Sequence, residues 1–163
     1  MTIIRISAYK GEGIATFDCG QEELNAFLSK YASQNDRKGI GRTYLGLEGD
    51  TLVGFYTLAA GEIDCDDLPP LLAKKLPRYP VPAIRIARLA VAKKAQGTGY
   101  GKQLLHSALS KSVAVSSEIG ANLVIVDAKP SAVGFYEHFG FVEILKTNGT
   151  YALPISTIKE AFE

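Results

Sequence analysis

The feature that most constrains the fold is a cluster of three glycines between an apolar run and an amphipathic segment. Residues 88–102 read RLAVAKKAQGTGYGK, with Gly97, Gly99 and Gly101 at alternate positions. Glycine loses more conformational entropy on folding than any other residue, so this cluster indicates backbone that must come close to something else. The preceding AIRIARLAV predicts a buried strand, and the following GKQLLHSALSKSVAVSSEIG predicts a helix that stops at Gly120. The chain is therefore expected to fold around a strand, a glycine turn and a helix.

A second apolar run extends this pattern into a βαβ unit. The segment NLVIVDA, which follows the predicted helix, is a continuous apolar run of the kind found in strands buried on both faces. Two parallel strands joined by a helix cross over with a right hand in almost all proteins. We therefore expect this unit to be the mechanical centre of the fold.

The N-terminal part of the chain predicts a strand, a helix and a hairpin. TIIRISA, residues 2–8, has the composition of a strand, and TFDCGQEELNAFLSKYASQ predicts a helix with Asp18 and Gln21 as a capping pair. Two β-rich runs then flank the turn formed by residues 48–50. The predicted buried face of the helix consists of four residues at helical spacing: Leu24, Phe27, Leu28 and Tyr31.

The C-terminal part predicts a second helix and a closing hairpin. LPPLLAKKLPRYPVP contains five of the seven prolines and predicts a loop with one helical turn at most. KPSAVGFYEHFGF predicts a helix that starts after Pro130 and ends at Gly140, and FVEILK with GTYALPI predicts a hairpin around Asn148 and Gly149. The element order β-α-β-β-β-α-β-α-β-β indicates an α/β fold, in which a twisted mixed sheet carries helices on both faces. We expect a single domain over residues 1–163.

Charge and composition narrow the possible functions. The chain has 163 residues and a net charge of +1, so no overall field would attract nucleic acid. Cys19 and Cys65 have no spacing typical of a disulfide framework or a metal site, and no long apolar run predicts a signal peptide or a membrane span. We therefore expect a cytoplasmic protein without a metal. One local run is basic and contains no acidic residue: Lys74, Lys75, Arg78, Arg85, Arg88, Lys93 and Lys94.

The glycine turn predicts a phosphate-ester ligand, because a strand-to-helix turn presents free N–H groups at the positive end of the helix dipole. The P-loop pattern fails, since Gln96 and Gln103 stand where it needs Gly and Ser or Thr. The dinucleotide pattern G-x-G-x-x-G fails as well, because Lys102 and Leu104 stand where it needs its third glycine. A nucleoside triphosphate and a dinucleotide are therefore disfavoured as ligands.

One known pattern does fit the turn. Gln96, Gly99 and Gly101 match [QR]-x-x-G-x-[GA], the pyrophosphate loop of the GNAT superfamily of acetyl-CoA-dependent N-acetyltransferases, which the chain resembles in its RLAV strand, its loop and its GFYEHFGF helix. The segments FDCGQEELNAFL, GFYTLAAGEI and PRYPVPAIRIARLAV further resemble the GNAT toxins of toxin–antitoxin pairs, which acetylate the amino group of aminoacyl-tRNA. The resemblance covers nearly the whole chain in element order.

The resemblance implies a set of site residues. Tyr136 would be the general acid that protonates the departing thiolate of coenzyme A. Acetyl-CoA would be held by the strand edge and the loop: Leu89, Ala90, Val91, Gln96, Gly97, Thr98, Gly99, Tyr100, Gly101 and Lys102. Lys93 and Lys94 would lie near the coenzyme's phosphates, and four basic residues would contact tRNA phosphates: Lys74, Lys75, Arg78 and Arg85.

Several alternatives remain open at this stage. Glu62 and Glu143 are candidate general bases, although surface solvation is favoured for both, and no base is required if the acceptor is an α-amino group. The resemblance also implies an antitoxin partner and a homodimer. The acceptor could instead be a small amine or a protein amino group, which the near-neutral net charge favours. A non-catalytic module that binds coenzyme A is a further alternative.

Overall fold

The structure is a computed structural model that describes residues 1–144 and 149–162. Its described strands form a seven-stranded sheet in the order β1-β2-β3-β4-β5-β7-β6. The strands are β1 (Thr2–Arg5), β2 (Arg42–Glu48), β3 (Thr51–Ile63), β4 (Val81–Val91), β5 (Leu123–Asp127), β6 (Val142–Glu143) and β7 (Thr150–Pro154). The helices are α1 (Glu22–Ala26), α2 (Ala32–Arg37), α3 (Pro70–Ala73), α4 (Tyr100–Ile119), α5 (Val133–His138) and α6 (Ile155–Phe162). The predicted α/β class with a mixed sheet is confirmed.

The central unit of the prediction is also confirmed. β4 and β5 pair in parallel from Ala83–Leu123 to Ile86–Val126, and α4 connects them. β1 with β2, β2 with β3, β5 with β7 and β6 with β7 are antiparallel, so the two predicted hairpins are present. The end of the predicted strand FVEILK, residues 145 and 146, and Asn148 of the predicted turn fall outside the described residues. No helix within residues 1–144 and 149–162 is long and apolar enough to cross a membrane.

The chain divides into two compact units. Unit 1 comprises Met1–Ala59 and Ala87–Ala108, and unit 2 comprises Ala60–Ile86 and Leu109–Glu163. The core of unit 1 includes Phe55 and Leu45, both fully buried, and the core of unit 2 includes Ile125 and Ile144. β3, β4 and α4 contribute residues to both units. The prediction that residues 1–163 act as one domain stays a prediction.

The first predicted helix contains an irregularity that the sequence did not indicate. Between α1 and α2, residues Phe27–Tyr31 form a π-helical turn, which holds one more residue per hydrogen-bonded ring than an α-turn. Phe27 and Leu28 are buried as expected, but Tyr31 is 54% exposed. The extra residue rotates the following positions by about 100°, so Ala32 takes the buried place predicted for Tyr31.

Two further boundaries differ from the prediction, and one helix was missed. β1 ends at Arg5 and a 3₁₀ turn covers Ile6–Ala8, so the strand is shorter than residues 2–8. The helix begins at Glu22, and Gln21 makes no side-chain cap; the Asp18 carboxylate instead accepts hydrogen bonds from Gly20 N–H and from the Asn25 amide. The C-terminal helix α6 was missed, although the spacing of its two buried isoleucines, at positions 155 and 158, was a signal for it.

Candidate functional site

The glycine turn lies in unit 1, between the end of β4 and the start of α4. A 3₁₀ turn at Lys93–Ala95 leads into it, and α4 begins at Tyr100. Gly97 and Gly99 have φ angles of 79° and 91°, a left-handed conformation that side-chain-bearing residues rarely adopt. A Cβ atom built on either glycine would have no protein atom within 4 Å. The turn therefore has open space over its backbone.

Side chains within the turn hold it in this conformation. The Gln96 amide donates hydrogen bonds to the carbonyl oxygens of Cys19 and Val91, at 3.0 and 2.9 Å. The Thr98 hydroxyl donates to the carbonyl of Ala95 at 2.6 Å. Gln96 thus ties the turn to the segment before α1 and to the end of β4. Gln96 lies in the loop as predicted, and its side-chain amide bonds to protein carbonyls.

The turn offers backbone donors to a ligand. The first N–H groups of any α-helix lack partners within the helix, and those of α4 begin at Tyr100, immediately after Gly99. Within the described residues, neither Gly97 nor Gly99 donates its N–H to a backbone carbonyl. The 20-residue helix α4 places the positive end of its dipole at the same point. These groups suit the oxygens of a phosphate ester.

The strand before the turn has a stretch that, among the described residues, lacks a partner on the side that pairs with β5. Its parallel ladder with β5 ends at Ile86, and β4 continues to Val91 with no further β5 pairing among the described residues. Leu89, Ala90 and Val91 lie in this continuation. Main-chain groups at an open strand edge can bind an extended ligand as an added strand would.

A cleft of about 1040 Å³ adjoins the turn within unit 1. Lys93, Lys94 and Thr98 line one side of it, but four carboxylates face it as well: Glu12, Asp18, Glu48 and Asp50. Hydrogen bonds from the Met1 amino group and the Tyr100 hydroxyl hold the pKa of Glu48 below its usual range. These carboxylates disfavour a multiply charged anion in the cleft.

Tyr136 lies in unit 2, on the short helix α5. It is 5% exposed, and its ring packs edge-on against Phe135 and Phe141, with ring centroids 5.1 and 5.4 Å away. Burial raises the pKa of Tyr136 to about 12. Among the described residues the Tyr136 hydroxyl makes no hydrogen bond. Every fully buried side-chain polar atom in the same part of the chain has a hydrogen-bond partner, so the Tyr136 hydroxyl is not fully buried and contacts solvent. It is a protonated donor at the end of a buried ring.

The basic residues of the sequence run divide between the two units. Lys74, Lys75 and Arg78 are exposed in unit 2. Arg85 in β4 forms an ion pair with Asp127 at the end of β5, at 2.5 Å, so its charge is balanced by a residue 42 positions away. The guanidinium of Arg88 lies over the ring of Phe27, 3.6 Å from the ring centroid. That contact was not visible in the sequence, which placed Arg88 only in a basic run.

The remaining candidates add no second site. Glu62 and Glu143 are exposed, and Glu143 accepts a hydrogen bond from the Tyr151 hydroxyl at 3.4 Å. His106 and His138 are exposed as well, and both cysteines are free and buried. Within residues 1–144 and 149–162 no three His, Cys, Asp or Glu side chains come together in a way that could hold a metal ion.

Comparison with known proteins shows to which family the chain belongs. Residues 6–152 match the family described as acetyltransferase (GNAT) domain. The chain belongs to the GNAT acetyltransferase family. The predicted resemblance to GNAT enzymes is thereby confirmed, and the chain is an N-acetyltransferase.

Individual relatives of this GNAT enzyme are toxins. A protein from Mycobacterium tuberculosis named tRNA-acetylating toxin is 35% identical over 131 residues, which cover 80% of this chain and 78% of the relative. AtaT in complex with acetyl-methionyl-tRNAfMet superposes with a TM-score of 0.90 at 27% identity, over 99% of each chain. A tyrosine-to-phenylalanine mutant of AtaT, bound to acetyl-CoA and the C-terminus of the antitoxin AtaR, superposes with a TM-score of 0.83 at 25% identity, over 99% of this chain and 97% of AtaT.

The geometry of the GNAT turn predicts a specific effect of substitution. Replacing Gly97 with valine should weaken acetyl-CoA binding by roughly 10- to 100-fold, because the side chain would fill the open space and disturb N–H donors worth about 1.5–3 kcal/mol each. Isothermal titration calorimetry with acetyl-CoA measures this. Gly39→Val is the matched control, since Gly39 has φ 75° and equally open surroundings. Equal affinity of the two variants would exclude the turn as the binding site.

Proposed function

We propose that this enzyme transfers the acetyl group of acetyl-CoA to the α-amino group of an aminoacyl-tRNA and so acts as a toxin that blocks translation. The observation that carries the proposal is the similarity, over nearly the whole chain, to AtaT bound to an acetylated aminoacyl-tRNA. The relative named tRNA-acetylating toxin supports the same acceptor. The open glycine turn and the buried tyrosine supply the groups that such a transfer needs.

Acetyl-CoA fits the turn and the strand edge. It brings a thioester, whose acetyl group can pass to an amine, and a pyrophosphate. The pyrophosphate oxygens would accept hydrogen bonds from backbone N–H groups in the open turn, with Gln96 and Lys102 beside them. These donors belong to Gly97, Thr98, Gly99, Tyr100 and Gly101. The amides of the pantetheine arm would pair with the main chain of Leu89–Val91.

Tyr136 is proposed as the general acid. As the amine nitrogen bonds to the acetyl carbon and the C–S bond breaks, the Tyr136 hydroxyl gives a proton to the departing coenzyme A sulfur. The proton lost by the nitrogen passes to solvent, and solvent returns one to the tyrosinate. Because burial raises the pKa of Tyr136 to about 12, the side chain stays protonated at any physiological pH. No general base is assigned, because an α-amino group has a pKa near 8, and the neighbouring ester lowers it further. A substantial fraction of such an acceptor is neutral and nucleophilic at neutral pH.

The exposed basic residues are proposed to contact tRNA phosphates. Lys74, Lys75 and Arg78 are available for this in unit 2, whereas Arg85 would have to share its guanidinium with Asp127. The same residues suit an acidic segment of an antitoxin, and the AtaT complex with the C-terminus of the antitoxin AtaR supports an antitoxin as a partner. The homodimer implied by the family resemblance stays a prediction.

A transfer assay tests the acceptor. Purified protein is incubated with labelled acetyl-CoA and one of four acceptors: total aminoacylated tRNA, the same tRNA after deacylation, small amines, or peptides. We expect label on charged tRNA and none on deacylated tRNA. Label on small amines or peptides instead would favour an acetyltransferase for small amines or protein amino groups, the alternative that the net charge of +1 supports. It would exclude the tRNA toxin. No label on any acceptor would favour the non-catalytic module.

A further inference from the structure

Arg88 forms no ion pair with any residue that the structure describes. It lies in β4, one residue before the proposed pantetheine-binding stretch, and it is partly buried in unit 1. Among the described residues it makes no ion pair, although the three other partly buried or paired arginines each have a carboxylate: Arg5 and Arg42 contact Asp36, and Arg85 contacts Asp127. Arg85 and Arg88 are the two partly buried arginines among the described residues, and of these two Arg88 alone lacks an ion pair.

An aromatic platform fixes the Arg88 guanidinium. Its central carbon lies 3.6 Å from the centroid of the Phe27 ring, within cation–π distance. Phe27 in turn stacks on Phe55, which is fully buried, with an interplanar angle of 19°. The platform is therefore part of the core of unit 1. A guanidinium placed over an aromatic ring still has N–H groups that can bind an oxyanion in a fork.

The segment that carries the platform is itself irregular. Phe27 begins the π-helical turn Phe27–Tyr31, and such turns within α-helices occur frequently at functional sites. Partial burial also lowers the pKa of the Arg88 guanidinium, because it removes water from around the charge. A half-buried cation that lacks a protein partner gains most from an anion supplied by a ligand.

We propose that Arg88, positioned by Phe27, binds a phosphate group of the acceptor substrate near the amine to be acetylated. This inference rests on the proposed function. The α-carboxyl group of an aminoacyl-tRNA is esterified, so for any amino acid without an acidic side chain the nearest anion to the amino group is a phosphodiester of the terminal nucleotides. Arg88 immediately precedes Leu89–Val91, where the acetyl-bearing arm of the donor is proposed to lie. A phosphate at Arg88 would therefore fix the acceptor end beside the donor.

The test compares two substitutions in the full-length protein. Arg88→Gln should raise KM for charged tRNA by roughly 10- to 100-fold, because a charge-assisted hydrogen bond is lost, and should leave KM for acetyl-CoA unchanged. For the wild type, log kcat/KM for tRNA should decrease as log salt rises. In Arg88→Gln this negative slope should become shallower by about 0.7, the value for one phosphate contact on a single strand. Arg88→Lys keeps the charge but not the fork, so it should raise KM by a smaller factor and retain the salt slope.

Arg37→Gln is the matched control, since it removes one positive charge from an exposed position on α2. We expect it to change KM for tRNA less than twofold.

A rise in KM for acetyl-CoA alone in Arg88→Gln would assign Arg88 to the coenzyme's phosphates and overturn the inference. An unchanged KM and salt slope in Arg88→Gln would overturn it too, while wild-type transfer to charged tRNA would leave the proposed function standing. Absence of transfer by the wild type would overturn both.

Discussion

Replacing Tyr136 with phenylalanine is expected to lower kcat by about 100- to 10,000-fold, the usual contribution of a general acid, and to leave acetyl-CoA affinity nearly unchanged. The substitution removes only a hydroxyl that makes no hydrogen bond within the described protein, while the ring contacts with Phe135 and Phe141 remain. Stability should therefore be preserved. Steady-state kinetics of acetyl transfer and calorimetric titration with acetyl-CoA measure the two effects separately.

The control for this substitution is Tyr31→Phe, which removes a hydroxyl from an exposed tyrosine on the π-helical turn. It should retain full kcat. The pH profile gives an independent check, because the pKa of Tyr136 is raised and its acid form persists as the pH rises toward about 12. We expect kcat/KM to rise through the pKa of the acceptor amine and then stay level to about pH 10. Full activity of Tyr136→Phe would exclude the general-acid role.

Replacing Asp36 with alanine is expected to reduce the free energy of unfolding by about 3 kcal/mol, the low end for breaking a buried ion pair. The Asp36 carboxylate, 4% exposed, accepts hydrogen bonds from Arg5 at 2.7 Å and from the backbone N–H of Thr43 at 3.2 Å. Arg42 lies 3.9 Å from the same carboxylate. One side chain thus joins α2 to β1 and to the start of β2, and its loss leaves a buried N–H unpaired.

Thermal denaturation measures this effect, with an expected decrease in Tm of roughly 6–12 °C for a chain of this size. Asp66→Ala is the control, because Asp66 is exposed and its side chain makes no hydrogen bond among the described residues. It should change the free energy of unfolding by no more than about 0.5 kcal/mol. Equal Tm values for the two variants would show that the Asp36 cluster does not stabilise the fold.

The parts of the fold that the sequence predicted well are those set by local pattern. The strand, the glycine turn and helix α4 follow one another within about 40 residues, and turn chemistry and apolar periodicity determine each of them. The same reasoning failed at Tyr31, because a π-turn changes the helical period and no residue type marks it. It also missed α6, whose two buried isoleucines are a short signal after a predicted strand.

The contacts that build the candidate site were beyond the reach of local pattern. Gln96 bonds to the carbonyl of Cys19, 77 positions earlier, and Arg85 pairs with Asp127, 42 positions later. Arg88 meets Phe27 across 61 positions. Only the folded chain shows that the basic run contains three kinds of cation: exposed ones, one paired with a carboxylate, and one stacked on an aromatic ring. Tyr136 could be named from its motif, but its burial and raised pKa could not.

The most direct test of the account is to locate the acetyl group on the reacted tRNA. Charged tRNA is incubated with the enzyme and acetyl-CoA, digested to nucleosides, and the aminoacyl-adenosine is analysed by mass spectrometry, with Tyr136→Phe as the parallel reaction. We expect the acetyl group on the α-amino nitrogen of the amino acid in the wild-type reaction, and almost none in the variant. An acetyl group on a base or a ribose, or equal modification by both proteins, would contradict the account.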